Sequence, residues 1–289
     1  MTEAAKPIPS KNVTMVILAE HHAPLRAFLE TVHEQVRELV CVLGLPKDFF
    51  VVHKRWHKTF LGLEVVLDRG RLIGAWFLQN NQECREIRPR ELIKILDIFA
   101  RARGKPLLKV RFGGFRRSWC YCEGELKNGF RCATSDGEFH AFGRTAYQGS
   151  AYGSSDGPLI ITGWPVAAEE NQFTRDLYRF RLACENASYL DKYHAKTRPF
   201  DRDDDAYIRL GTLGPYPDYV IDIFVDKLRG WLSAHEPKIL EFNLEDLWIV
   251  HYERPSLETN QSEKRVVEII AKPEMLDDLY EEWRAGQAR

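Results

Sequence analysis

The stretch DFFVVHKRWHKTFLGLEVVL, residues 48–67, decides how this chain is read. It is dense in β-branched and aromatic residues and reads as one long extended run. Inside it, RWHKTFLGL (55–63) sets a histidine, one spacer and a threonine into what is otherwise a strand built for burial. Alternation along a strand places His57 and Thr59 on the same face. A histidine in such a strand must be hydrogen-bonded or serve a function, because an unsatisfied buried imidazole is costly. Two readings stand side by side. His57 is either a core residue satisfied by a backbone carbonyl, or one half of a catalytic pair facing a groove.

Working outward, VTMVILAE (13–20) is a β-rich apolar run. A helix follows, with Leu25, Phe28, Leu29, Val32, Val36, Leu39, Val40 and Leu43 at helical spacing and Gly44 and Pro46 as its stop. Beyond the opening stretch come a turn at DRG and a strand at RLIGAWFL (71–78). RPRELIKILDIFARARGK (88–105) predicts an amphipathic helix with Gly104 as C-cap, and PLLKVRFGGF (106–115) a strand. Residues 116–157 are rich in Gly, Ser and aromatics without sustained period, which predicts hairpins and loops. The second half then repeats the order of the first: strand 158–166, helix 171–190, strand 203–214, helix 217–237 and extended segments at 238–253 and 265–272. The expected division is a flexible lead (1–12), a first lobe (13–115), a loop-rich insertion (116–157), a second lobe (158–272) and a polar C-terminal tail (273–289), helical or disordered.

The 289 residues carry a net charge of −1, with 44% hydrophobic and 29% charged residues, as in ordinary globular proteins. No global field draws the chain to nucleic acid or membrane, so any polyanion contact rests on a local basic patch. There is no apolar run long enough to span a bilayer and no charged-then-apolar leader. Six cysteines in a chain of this size do not make a disulfide scaffold. The expected setting is a reducing intracellular compartment, cytoplasm or nucleus, with no membrane partner.

The ordered elements from 13 to 270 resemble those of the 2H phosphoesterases, the superfamily of the bacterial RNA 2′,3′-cyclic phosphodiesterases (2′-5′ RNA ligases). HKTF stands where that family carries its first His-x-Thr/Ser motif. PLLKVRFGGF looks like the strand closing the family's first lobe, and LWIVHYERPSL with RVVEIIA like its closing strands. The resemblance implies an α+β fold: two pseudo-symmetric lobes of antiparallel-rich sheet with flanking helices around a central groove. Two His-x-Thr/Ser motifs would meet there at one phosphate, with no metal and no cofactor. His57 would act as general base or acid and Thr59 would hold the phosphate.

The second motif departs from the family. After TRPF (197–200) the strand reads AYIRLGTLG, so Tyr207 takes the histidine's place and Arg209 the threonine's. No other His-x-Thr/Ser exists in the chain, and His194 in YHAKT is the nearest substitute. Two imidazoles suit cyclic-phosphate hydrolysis because each can give or take a proton near neutral pH. A phenol with its ordinary pKa near 10 is a weak acid for this task, whereas a guanidinium matches two phosphate oxygens. Tyr207 is equally readable as core packing, and Arg209 as the partner of one of Asp203 to Asp205.

HKRWHK and KVRFGGFRRSW interleave basic and aromatic residues, which suits single-stranded RNA held by charge and stacking. Arg55, Lys58 and Arg111 are the candidate contacts there; the plainer reading is a solvated strand face. Cys120, Cys122, Cys132 and His140 could build a zinc site, but the single spacer in WCYC is short for a ligand pair, and buried thiols are the commoner explanation. DRDDD (201–205) reads as a solvated acidic loop before a cation site. The expected function is a phosphoesterase-like protein acting on RNA ends, weakened by loss of the second histidine. The alternative is an inactive relative that binds RNA, or a partner protein through 116–157 or the tail, in an RNA-processing assembly.

Overall fold

The computed structural model describes residues 12–68, 71–74, 89–103, 105–112, 142–143, 157–166, 176–177, 180, 183, 206–252, 257 and 262–287. Their elements run β1 (Asn12–Leu18), α1 (Ala23–Val42), β2 (Phe50–Val52), β3 (His57–Asp68), β4 (Arg71–Gly74), α2 (Pro89–Arg101), β5 (Leu108–Phe112) and β6 (Phe142–Gly143). Then come β7 (Pro158–Pro165), β8 (Ala206–Leu213), α3 (Asp218–Ala234), β9 (Lys238–Phe242), β10 (Leu247–Tyr252), β11 (Ser262–Arg265), α4 (Val266–Ala271) and α5 (Glu274–Gln287). The class is α+β, as the sequence implies.

The first sheet has the order β11-β10-β1-β3-β4 and the second β2-β8-β7-β5-β9, with β6 beside β7. Every pairing is antiparallel. Each sheet draws on both halves of the chain. β10 and β11 close the sheet begun by β1, and β2 and β5 enter the sheet built around β7 and β8. A boundary in sequence is therefore not a boundary between sheets.

The α1 helix starts at His22, whose Nδ1 accepts from the Leu25 amide at 3.0 Å and so satisfies one orphan donor of the first turn. It ends at Gly44, whose φ of 63° suits a residue without Cβ. Its buried stripe of Leu25, Phe28, Leu29, Val32 and Val36 packs on the second sheet, where Phe28 and Phe112 lie 5.2 Å apart. Its neighbour α3 brings Phe224 to within 4.9 Å of Phe49. On the first sheet Phe60 meets Phe99 of α2, and His251 meets Trp283 of α5 at 5.8 Å.

Three expectations are corrected. The run 48–67 is not one strand: it breaks after Val52, and its two parts join different sheets. Residues 266–271 are a helix, where a strand was expected. Of the two readings of the C-terminal segment the helical one holds, but α5 is packed and not a polar tail, with Leu276, Leu279 and Trp283 buried. Its apolar residues recur at helical spacing and are few, so a polar composition hid a packed face.

Candidate functional site

Residues 53–56 cross from the second sheet to the first. The His53 amide and the indole Nε1 of Trp56 both donate to the Leu210 carbonyl, each at 3.0 Å. On the other side the Trp56 carbonyl accepts from the Ala19 amide at 3.0 Å. The connector is thereby tied to both sheets, and β3 and β8 approach within 8 Å between Cα atoms.

Leu210 is the extra residue of a β-bulge. Arg209 pairs with Ile160 and Gly211 with Leu159, so β8 has one residue more than β7 at this point. A bulge breaks strict alternation. Ile208, Leu210 and Leu213 are buried, while Arg209 and Thr212 are half-buried. Strict alternation would put residues three apart on opposite faces; the bulge returns Thr212 to the face of Arg209. The bulge also points Gly211 at β2: a Cβ there would lie 2.3 Å from the Val51 carbonyl and 2.5 Å from the Phe50 ring.

On β3, His57 and Thr59 are half-buried and share a face, and Lys58 and Phe60 are buried on the other. The His57 Nδ1 lies 3.4 Å from the Arg55 carbonyl, which favours the proton on Nδ1 and leaves the Nε2 lone pair free to accept. Burial holds the imidazole down to about 4, against the Arg55 carbonyl, which favours the charged form; Arg209, His53 and Lys58 lower it further. His57 is therefore neutral at pH 7, and Arg209 and His53 stand within electrostatic reach of it. His53 in turn has Nε2 3.3 Å from the Thr212 hydroxyl.

β3 carries His57 and Thr59, and Arg209 of the neighbouring β8 acts electrostatically on His57. Tyr207 lies on β8 opposite Thr162 of β7. The three further basic candidates are placed differently. Lys58 is fully buried and its ammonium donates to the Thr59 carbonyl, so it is no exposed phosphate ligand; strand alternation turns it inward when His57 turns outward. Arg55 is committed to two carboxylates, Glu20 and Glu263, the latter at 2.9 Å. Arg111, in mid-sheet between β7 and β9, is 3% exposed and presents no surface to a nucleic acid.

His53 and Thr212 were not singled out by sequence reasoning. The cue for Thr212 is a bulge, which needs the partner strand to be seen. The cue for His53 is the break of the 48–67 run, because only a connector that changes sheets can bring residues 53 and 57 toward one site. Glu20, His21 and Glu263 bring potential ligand atoms within 4.8 Å of one another, but the Arg55 guanidinium already balances both carboxylates. His194, the TRPF approach, DRDDD, and Cys120, Cys122, Cys132 and His140 lie outside the described residues. Among the described residues no helix is long and apolar enough to cross a membrane.

No family of known proteins, no curated protein and no solved structure matches this chain.

Proposed function

We propose that the chain is a 2H-type phosphoesterase acting on RNA ends, with its site in a groove between two lobes where β3 faces β8. What supports this reading is the approach of β3 to β8, with Arg209 of β8 in electrostatic reach of His57 of β3. A neutral imidazole at pH 7 can take a proton from an attacking water. A guanidinium beside it suits two non-bridging phosphate oxygens. Thr59, on the same strand face as His57, would donate its hydroxyl to another. The substrate class is a 2′,3′-cyclic phosphate or a 2′-5′ phosphodiester at the end of a single strand.

A second reading, an RNA-binding relative without turnover, draws support from the Tyr207/Arg209 replacement on β8. That pair favours holding a phosphate over protonating its leaving group. One assay separates the two. The protein is incubated with an RNA oligomer ending in a 2′,3′-cyclic phosphate, and ring opening is followed. Turnover abolished by His57→Ala supports the enzyme. Binding of the same oligomer without ring opening supports the second reading, and neither binding nor turnover removes both.

A further inference from the structure

β2 ends the second sheet: β8 lies on one side of it, and among the described residues no strand lies on the other. The bonds at its two ends fix which way its backbone points. The Gly214 amide donates to the Phe49 carbonyl at 2.9 Å, and the His53 amide to the Leu210 carbonyl at 3.0 Å. In an antiparallel ladder, residues that bond to one neighbour alternate with residues that face the other way. Phe49, Val51 and His53 therefore turn their main-chain groups to β8, and Phe50 and Val52 turn theirs to the open edge. That edge is apolar and accessible: Val51 is 60% and Val52 36% exposed. An exposed charge flanks it on each side, Asp48 before the strand and Lys54 after it. Asp48 is held in place by the Tyr216 hydroxyl, which donates to it at 3.1 Å. An edge of this kind is a template for a further strand.

We propose that β2 pairs antiparallel with β2 of a second copy of this chain, about a two-fold axis at Val51. Bonding parity allows only registers in which outward-facing residues meet one another, and one of these sets Val51 opposite Val51. There Phe50 of each copy exchanges both main-chain bonds with Val52 of the other. The same register brings Asp48 of each copy level with Lys54 of the other, at both ends of the pair. A slip of two residues in either direction keeps the parity but sets Asp48 against Val52 or Trp56, and Lys54 against Pro46 or Phe50. Lys54 by itself would guard the edge against pairing, as edge lysines do. With Asp48 at the other end of the strand, it instead selects this partner and this register. The contact is self-complementary, as a two-fold interface must be. The second sheets of the two copies run on as one, with each β8 one strand from the axis. The contact is also small, so the dimer is reversible and depends on concentration. None of this depends on the phosphoesterase reading.

Sedimentation equilibrium of the full chain, over about a hundredfold range of concentration, should show monomer giving way to dimer. Asp48→Lys and Lys54→Asp should each weaken the dimer by roughly tenfold or more, since each sets like charges opposite one another at both ends. An equimolar mixture of the two variants should dimerise again, because each then meets the opposite charge in the other. That rescue separates a lost contact from a lost fold. Val52→Pro removes an outward N–H and leaves the bonds to β8 in place, so it should abolish the dimer while circular dichroism and thermal unfolding stay as in wild type. Cross-linking reads the register. With the exposed Cys41 changed to Ser, Val51→Cys should form a disulfide-linked dimer under mild oxidation and Val52→Cys should not, because only residue 51 meets its own copy across the axis. A chain monomeric throughout, even one that takes an extended peptide of another protein at this edge, overturns the proposal. So does a dimer that neither charge variant weakens, or one that links through Val52→Cys and not through Val51→Cys.

Discussion

Trp56 donates its indole N–H to the carbonyl of Leu210 at 3.0 Å, a single bond that ties the entry of β3 to the bulge of β8. Trp56→Phe keeps the ring and removes the donor. The carbonyl retains the His53 amide, so the expected loss of stability is small, about 0.5–1.5 kcal/mol by chemical denaturation. The rate of ring opening should fall by more than that loss of stability explains, because His53 and His57 flank the released residue.

Gly211→Ala should be strongly destabilising. Its Cβ would meet the Val51 carbonyl at 2.3 Å, and backbone cannot yield as a flexible side chain can. Relief requires β2 to move off β8, at about 1–3 kcal/mol or more. Gly230→Ala is the control: it sits within α3, with nothing inside 4 Å of the added Cβ. There the change should stabilise by about 0.5–1 kcal/mol. Thermal melts of the two variants should move in opposite directions.

The His57 imidazole should titrate near 4, below its ordinary value of 6.5. Burial is the larger cause, so Arg209→Gln should raise the value without restoring 6.5. The sign for stability follows. The folded state disfavours the protonated ring, so this contribution is complete above 6.5 and is lost as pH falls through about 4. NMR titration of the ring carbons in both proteins measures the shift. A His57 that titrates at 6.5 would remove the neutral base on which the site depends.

RNA affinity should distinguish the basic residues by placement. Arg209→Gln should weaken binding of a cyclic-ended oligomer and flatten its salt dependence, by roughly 0.7 in the log–log slope for one single-strand phosphate contact. Lys58→Met should leave that slope unchanged, since Lys58 is fully buried and faces away from His57. Affinity measured at several salt concentrations gives both slopes.

Trp283→Ala should cost about 3–5 kcal/mol, because Trp283 is 1% exposed and packs against His251 of β10. A dispensable tail would tolerate the change. Denaturant unfolding distinguishes a core element from an appendage.

Much of the framework is legible in the chain. The apolar spacing of α1 and the Gly44 stop are local signals, and the structure follows them closely. The α+β class follows from the order of elements and the resemblance it carries, and the shared face of His57 and Thr59 from period alone. What escapes is non-local. The break at His53 looks like continuous strand, because β-branched and aromatic residues stand on both sides of it. The bulge at Leu210 has no signature in AYIRLGTL, since an extra residue is defined only against β7. Lys58, Arg55 and Arg111 read as a basic surface because charge is visible in sequence and its burial or pairing is not. The helix at Val266–Ala271 is made of β-favouring residues, and its place on the first sheet overrides their propensity.

The pairing of β1 with β10, Val13 opposite His251 and Ile17 opposite Leu247, sets a schedule for synthesis. As the chain leaves the ribosome, β3 can join β1 early, but the other edge of β1 stays open until residues near 250 emerge. At about 5–20 residues per second, that interval is on the order of ten seconds or more. Throughout it, an apolar strand with unpaired amides is offered to any neighbouring chain. The nascent protein is therefore a natural client for holding chaperones, and fragments ending before β10 should be recovered as aggregates, not as soluble half-molecules.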